Sequence, residues 1–192
     1  MVPPLSAESH EKSPPIVRIE EDWELALGAP DTGAESPQIR CVISPTRDLR
    51  SLHAVLTLNH RTEPIYESGG IQLQVWDGEN PQASKSAGTT ALLSHEGEVV
   101  RWTQVMRISD DKLVFEVVDG RSKSWGRFGF PGRLKLTAPT VRTDLSKYHP
   151  RVSWKYSEVE FGENRVKDFV LREVRAYGPD GLLWRGAGSS IE

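Results

Sequence analysis

The sequence has a single cysteine, Cys41, so it cannot form an internal disulfide bond. This argues against a small secreted module stapled by disulfides. Cys41 lies within the alternating run 40–43, which predicts that it is a small apolar side chain of the core. A catalytic thiol has no local support, because no histidine lies near Cys41 in the sequence.

Long hydrophobic runs and targeting signals are missing as well. No stretch approaches the roughly 18 consecutive apolar residues of a transmembrane helix, which excludes such a span. The first residues lack the basic and apolar regions of a signal peptide, and no Asn-x-Ser/Thr sequon occurs. These absences predict a cytoplasmic protein, with a processed extracellular chain as the alternative.

An excess of positive charge is also absent. The 24 Lys and Arg are outnumbered by 27 Asp and Glu, for a net charge of −3, which argues against nucleic-acid binding. Residues 1–38 carry 2 basic and 8 acidic side chains, whereas residues 121–192 carry 14 and 8. The simplest interpretation of this asymmetry is ordinary solvated surface. The alternative is a basic face that meets an acidic partner or the chain's own acidic N-terminal part.

The chain nevertheless has what a folded domain needs. Six Trp, five Phe and four Tyr in 192 residues argue against disorder. Residues 1–15 hold four prolines among polar residues and predict a flexible N-terminal arm. Residues 16–192 are predicted to form one domain.

The dominant pattern after residue 15 is short alternation of apolar and polar residues, which is typical of half-buried antiparallel strands. Residues 77–88 and 138–151 are predicted to be long loops, and no sustained helical period occurs. The sequence therefore predicts an all-β, antiparallel β-sandwich of jelly-roll type. The predicted strands are 17–27, 39–44, 52–59, 71–76, 89–94, 99–108, 113–118, 133–137, 152–156, 166–177 and 182–185.

The hairpin at residues 98–120 has a Trp-bearing strand, a polar turn and a strand that ends in Val118-Asp119-Gly120. In this layout it resembles the concanavalin A-like and laminin-G jelly-roll families. Those families include lectins, glycan-binding modules, glycoside hydrolases and pure interaction domains, so the resemblance implies a fold and leaves function open. The chain also resembles a bacterial β-sandwich family to which no activity is attached.

The sequence Glu20-Glu21-Asp22-Trp23-Glu24 resembles the Glu-x-Asp-x-Glu motif of jelly-roll β-glucanases. Residues i, i+2 and i+4 of a strand share one face, so Glu20 and Glu24 could flank a sugar bond with Asp22 between them. In those glucanases the motif lies deep in the chain, whereas here it lies on the first predicted strand. The alternative is an amphipathic strand with an outer row of solvated carboxylates and an inner apolar face interrupted by Glu21.

Gln72, Gln74 and Trp76 are predicted to share one strand face, opposite Ile71, Leu73 and Val75. Amides and an indole on an exposed sheet suit sugar binding, because the ring stacks and the amides bond hydroxyls. Trp125, among glycines and aromatics at 124–130, is a further candidate contact. The alternative is that both Trp side chains pack into the structure.

Metal and cofactor chemistry has little support. The five histidines are scattered, without metal-ligand spacing. Calcium could bind carboxylates at 110–111 or 77–80, but both are ordinary turn sequences. We therefore expect no cofactor and a non-catalytic module that binds a carbohydrate or a protein. The alternatives are a glycoside hydrolase using Glu20, Asp22 and Glu24, and an assembly protein that forms oligomers.

Overall fold

A computed structural model describes residues 13–29, 37–60, 70–87, 93, 95–187 and 190–191. It confirms an all-β antiparallel sandwich of two packed sheets. The strands are β1 (Arg18–Leu27), β2 (Gln38–Ile43), β3 (Leu52–His60), β4 (Gly70–Asp77), β5 (Asn80–Ala87), β6 (Val99–Ser109), β7 (Lys112–Ser122), β8 (Gly126–Phe128), β9 (Leu134–Pro139), β10 (Glu158–Phe161), β11 (Val166–Gly178), β12 (Gly181–Ala187) and β13 (Ser190–Ile191).

The larger sheet has the strand order β12-β11-β1-β6-β7-β8, with β9 also paired to β7 and β13 to β11. The smaller sheet has the order β10-β2-β3-β4-β5. All pairings are antiparallel. The first strand of the chain therefore lies in the middle of the larger sheet, between β11 and β6.

The core lies between the two sheets and is built by strand alternation. Trp23 of β1 stands opposite Trp102 of β6, and their rings stack with centroids 6.4 Å apart. Phe169 of β11 completes this aromatic cluster at 5.1 Å from Trp23. Cys41 is buried in the same core, as the sequence predicts. Because alternation places these rings on the inner face, it also places the intervening polar side chains on the outer face.

One predicted strand, 152–156, is wrong: these residues belong to a short helix, α1 (Pro150–Tyr156). Pro150 stands at the first helical position, and His149 caps the helix by accepting a hydrogen bond from the Arg151 amide. A 3-10 helix follows at Glu163–Arg165. Neither segment is long and apolar enough to cross a membrane, and no other helix occurs in the described ranges.

The predicted long loop at 77–88 is also wrong. Gly78 and Glu79 form a tight turn, and β5 follows at once as the edge strand of the smaller sheet. The sequence of β5 shows no alternation, because nearly all its side chains are exposed. An edge strand also accommodates Pro81, whose missing N–H would be a defect in a central strand. Most of the predicted strand 89–94 and residues 1–12 of the predicted arm lie outside the described residues.

The Val118-Asp119-Gly120 step contains a β-bulge. Thr103 pairs with Val118 and Arg101 with Arg121, so two residues of β7 face one residue of β6. Asp119 adopts a left-handed conformation with φ of 55°. Gly120 then faces inward, where a β-carbon would come within 2.3 Å of the Phe128 ring. Position 120 therefore requires glycine, because the Phe128 ring packs directly against its backbone.

We predict that Gly120→Ala destabilises the protein by about 1–3 kcal/mol, because the added methyl group overpacks the Phe128 site. Urea unfolding at equilibrium measures the change. Gly28→Ala is the control, since a β-carbon there meets its nearest atom at 3.7 Å, an ordinary contact. Equal stability of the two variants would show that the Phe128 ring does not exclude a β-carbon at position 120.

Candidate binding cleft

The outer face of the smaller sheet carries three of the four predicted ligand contacts. In β4, Ile71, Leu73 and Val75 are buried in the core, whereas Gln72, Gln74 and Trp76 are partly exposed on the opposite face. Gln72 makes a long hydrogen bond of 3.4 Å to the hydroxyl of Ser86 on β5. The structure therefore brings the two glutamines and Trp76 together on one face, as the alternation predicts.

Trp76 lines a cleft of about 880 Å³ on this face. Tyr156 at the end of α1 also lines the cleft and has about a third of its surface exposed. The indole N–H of Trp76 is buried and has no hydrogen-bond partner among the described residues. The remaining lining is mainly polar, comprising Arg40, Asp48, Leu49, Arg50, His53, Val55, Gly78 and Glu79. The cleft, which we call the Trp76 cleft, thus combines two aromatic side chains with charged and polar groups.

His53 contributes a neutral hydrogen-bonding group to the Trp76 cleft. It pairs directly across from Trp76 in the sheet, and its Nδ1 lies 2.9 Å from the Ser51 carbonyl oxygen. Burial lowers the pKa of His53, so the ring is neutral at pH 7. Because Nδ1 donates to the carbonyl, Nε2 of the neutral ring is a hydrogen-bond acceptor.

The fourth predicted contact, Trp125, does not line the Trp76 cleft. It lies in the turn between β7 and β8 of the larger sheet and packs against Phe128 with ring centroids 5.8 Å apart, edge to face. Its side chain is partly buried against the core. The structure thus places Trp125 and Trp76 on different sheets.

The predicted carboxylate row lies on the outer face of β1, where each member is engaged by cations. Arg18, Arg175 and the Tyr177 hydroxyl contact Glu20. Asp22 accepts hydrogen bonds from Arg175 and from Thr103 at 2.7 Å. Glu24 is bound by Arg101 at 2.6 Å and by Arg172. Arg172 and Arg175 come from the basic C-terminal part of the chain, so part of that charge meets the acidic N-terminal part.

This ion pairing bears on the glycoside hydrolase hypothesis. The hydrogen bond from Arg172, together with Arg101, lowers the pKa of Glu24. A general acid needs the opposite shift, since it must hold its proton at working pH. Glu24 therefore lacks the property of a proton donor, although the hypothesis as a whole stays a prediction. Within the described part of the chain, no three His, Cys, Asp or Glu side chains converge as metal ligands.

Glu21 interrupts the apolar face of β1 in the sequence, but the sequence did not predict the buried hydrogen bonds of this carboxyl group. Its side chain points into the core from β1 and accepts hydrogen bonds from Tyr148 at 2.7 Å, from Trp23 at 3.1 Å and from Ser153 of α1. Burial raises its pKa from 4.5 to about 7, although these three hydrogen bonds act in the opposite direction. Glu21 thereby ties α1 and the preceding loop to the centre of the larger sheet. The signal in the sequence is the single acidic residue that interrupts the apolar face of β1.

No protein-family model matches the chain, and no curated protein matches its sequence.

We predict that the buried Glu21 makes the protein less stable as the pH rises from about 4.5 to 7. Over this range the unfolded chain releases the Glu21 proton while the folded protein keeps it. The free energy of unfolding should fall by roughly 3 kcal/mol across the window and stay level on either side, as far as this group is concerned. Urea unfolding at a series of pH values measures the dependence.

Glu21→Gln isolates the contribution of this one group, because the amide does not titrate. The difference in unfolding free energy between wild type and Glu21→Gln should change with pH only between about 4.5 and 7. Glu116→Gln, on a half-buried side chain that accepts from the Gly132 amide, is the matched control. A pH-independent difference for Glu21→Gln would contradict the assigned pKa.

Proposed function

We propose that this protein is a non-catalytic carbohydrate-binding module that seats a saccharide in the Trp76 cleft. The observation that carries the proposal is the presence of Trp76 and Tyr156 in one cleft, surrounded by polar side chains. Aromatic rings offer an apolar face against which the C–H face of a sugar ring packs. Arg40, Arg50 and the neutral His53 supply donors and an acceptor for the sugar hydroxyls.

A further feature supports this assignment. Gln72 and Gln74 extend the polar surface from Trp76 along β4, so a longer saccharide would meet amide groups beyond the cleft. Trp125 stays a predicted contact that would belong to a separate subsite on the larger sheet.

A glycan array probed with the purified protein, with calcium and with a chelator, tests the proposal. We predict binding to a defined set of saccharides in both conditions, and a loss of about tenfold or more in affinity for Trp76→Ala, measured by calorimetry on the best array ligand. Trp184→Ala is the control, because it removes an exposed indole from the larger sheet, outside the Trp76 cleft. A blank array, or equal losses in the two variants, would contradict the assignment.

A second candidate function, protein assembly, is favoured by the edge strand β12. This strand ends the larger sheet and exposes three consecutive apolar residues, Leu182, Leu183 and Trp184. An exposed apolar edge offers unpaired backbone groups to another strand. The same edge of a second copy could add to it and continue the sheet.

Light scattering at a series of protein concentrations tests assembly through β12. We predict that the wild-type mass rises with concentration and that Trp184→Ala weakens this association, because the indole is lost from the contact. Trp76→Ala is now the control and should associate as the wild type does. A mass that stays monomeric at every concentration would exclude self-assembly through β12.

A further inference from the structure

A second cleft, on the outer face of the larger sheet, is dominated by arginine. It has a volume of about 670 Å³ and lies on the opposite sheet from the Trp76 cleft. Three carboxylates line it, Asp22, Glu24 and Asp119. Five arginines from four strands line it as well: Arg101 of β6, Arg121 of β7, Arg127 of β8, and Arg172 and Arg175 of β11.

Three of these arginines stand side by side across neighbouring strands. Arg101 of β6 pairs with Arg121 of β7, and Arg121 pairs with Arg127 of β8. Neighbouring strands lie about 4.8 Å apart, so the three residues form a row roughly 10 Å long. All three side chains are exposed on the same outer face. Like charges directly opposite one another destabilise a sheet, so this row needs a counter-charge.

The β7 bulge is what places Arg121 in this row. Val117 points into the core, and simple alternation would send Arg121 to the same inner face. The extra residue in β7 reverses the alternation, so Gly120 faces inward and Arg121 faces outward. This arrangement holds Asp119 at a positive φ that costs free energy in a residue other than glycine. Bulges commonly redirect a side chain in this way beside functional sites.

The carboxylates of the cleft neutralise only part of its positive charge. Glu24 is shared by Arg101 and Arg172, and Asp22 is bound by Arg175. Neither Arg121 nor Arg127 forms an ion pair with any described carboxylate. The guanidinium of Arg127 lies over the Phe130 ring, 5.6 Å from its centroid, a contact that attracts the cation but supplies no negative charge. Two guanidinium groups on adjacent strands are therefore available to an anion.

We propose that this cleft binds a tetrahedral oxyanion, sulfate or phosphate, either as the free ion or as the ester group of a larger ligand. A guanidinium group presents a planar fork of donors that matches two oxygens of such an anion. A tetrahedral anion has enough oxygens to bridge Arg121 and Arg127 and to reach Arg101. Because the three arginines stand on paired strands, their backbone positions are fixed before the anion binds.

The double variant Arg121→Gln/Arg127→Gln tests the proposal, with Arg133→Gln/Arg142→Gln as a control that removes the same charge outside the cleft. Thermal unfolding is followed in millimolar sodium sulfate or sodium phosphate against sodium chloride of equal ionic strength. We expect both anions to raise the melting temperature of the wild type and of the control above the chloride value. The double variant should lose this rise, and calorimetry should show its affinity reduced by roughly tenfold or more.

A second arm of the experiment identifies the source of the oxyanion. Dextran sulfate that binds far more tightly than inorganic sulfate, while unsulfated dextran does not bind, indicates a sulfated polymer. If inorganic phosphate binds as tightly as dextran sulfate, the ligand is the free ion. Either result supports an oxyanion site in this cleft. In low salt without either anion, the double variant should be at least as stable as the wild type, because it relieves repulsion in the arginine row.

The proposal is overturned if sulfate and phosphate raise the melting temperature of the double variant as much as that of the wild type. It is also overturned if neither anion exceeds chloride in the wild type. Trp76→Ala should keep the full response to both anions, because Trp76 does not line this cleft. The oxyanion proposal and the saccharide proposal for the Trp76 cleft can therefore be refuted independently of each other.

Discussion

The strict alternation of β1 is the constraint on which the rest of the structure depends. Its inner face places Trp23 in the aromatic cluster of the core, whereas its outer face places Glu20, Asp22 and Glu24 in a row. Because β1 pairs with β11 on one side and β6 on the other, Glu24 meets a cation from each neighbour, whereas Glu20 and Asp22 both meet Arg175 of β11. A shift of one residue in register would bury the row and expose the rings. The core and the charged outer face therefore require the same register.

The two outer faces of the sandwich have different chemistry. On the smaller sheet, Trp76 and Tyr156 line a cleft with mixed polar groups, which suits an uncharged or weakly charged ligand held by packing and hydrogen bonds. On the larger sheet, the carboxylates of β1 occupy only the arginines nearest to them, and the bulge at Asp119 adds Arg121 beyond their reach. Binding on the first face rests on aromatic side chains, and binding on the second rests on charge. Salt should therefore weaken binding in the second cleft much more than in the first.

The sequence predicted those parts of the fold that depend on local alternation. The hairpin of β6 and β7, the final pair β11 and β12, and the outward row on β4 follow from a period of two residues. β5 has no such period, because an exposed edge strand has no apolar face to bury. The sequence predicted a strand in place of α1 because the segment contains Val and Trp, which are common in strands. His149 as the N-cap and Pro150 at the first helical position start a helix there instead. Glu21 contacts Tyr148 and Ser153, which lie more than 120 positions away in the chain, so no local pattern could reveal these hydrogen bonds. The arginine row depends on strand pairing and on the bulge in β7, which no local pattern could reveal either.

Hydrogen exchange of the β1 backbone amides, followed residue by residue by NMR, tests the central claim most directly. If β1 is the central strand of the larger sheet, its amides are paired on both sides and should exchange only through global unfolding. They should then be among the slowest in the protein, far slower than those of the edge strand β12. Exchange of residues 19–26 as fast as that of β12 would contradict a central β1, and with it the register that builds the core and the charged outer face of the larger sheet.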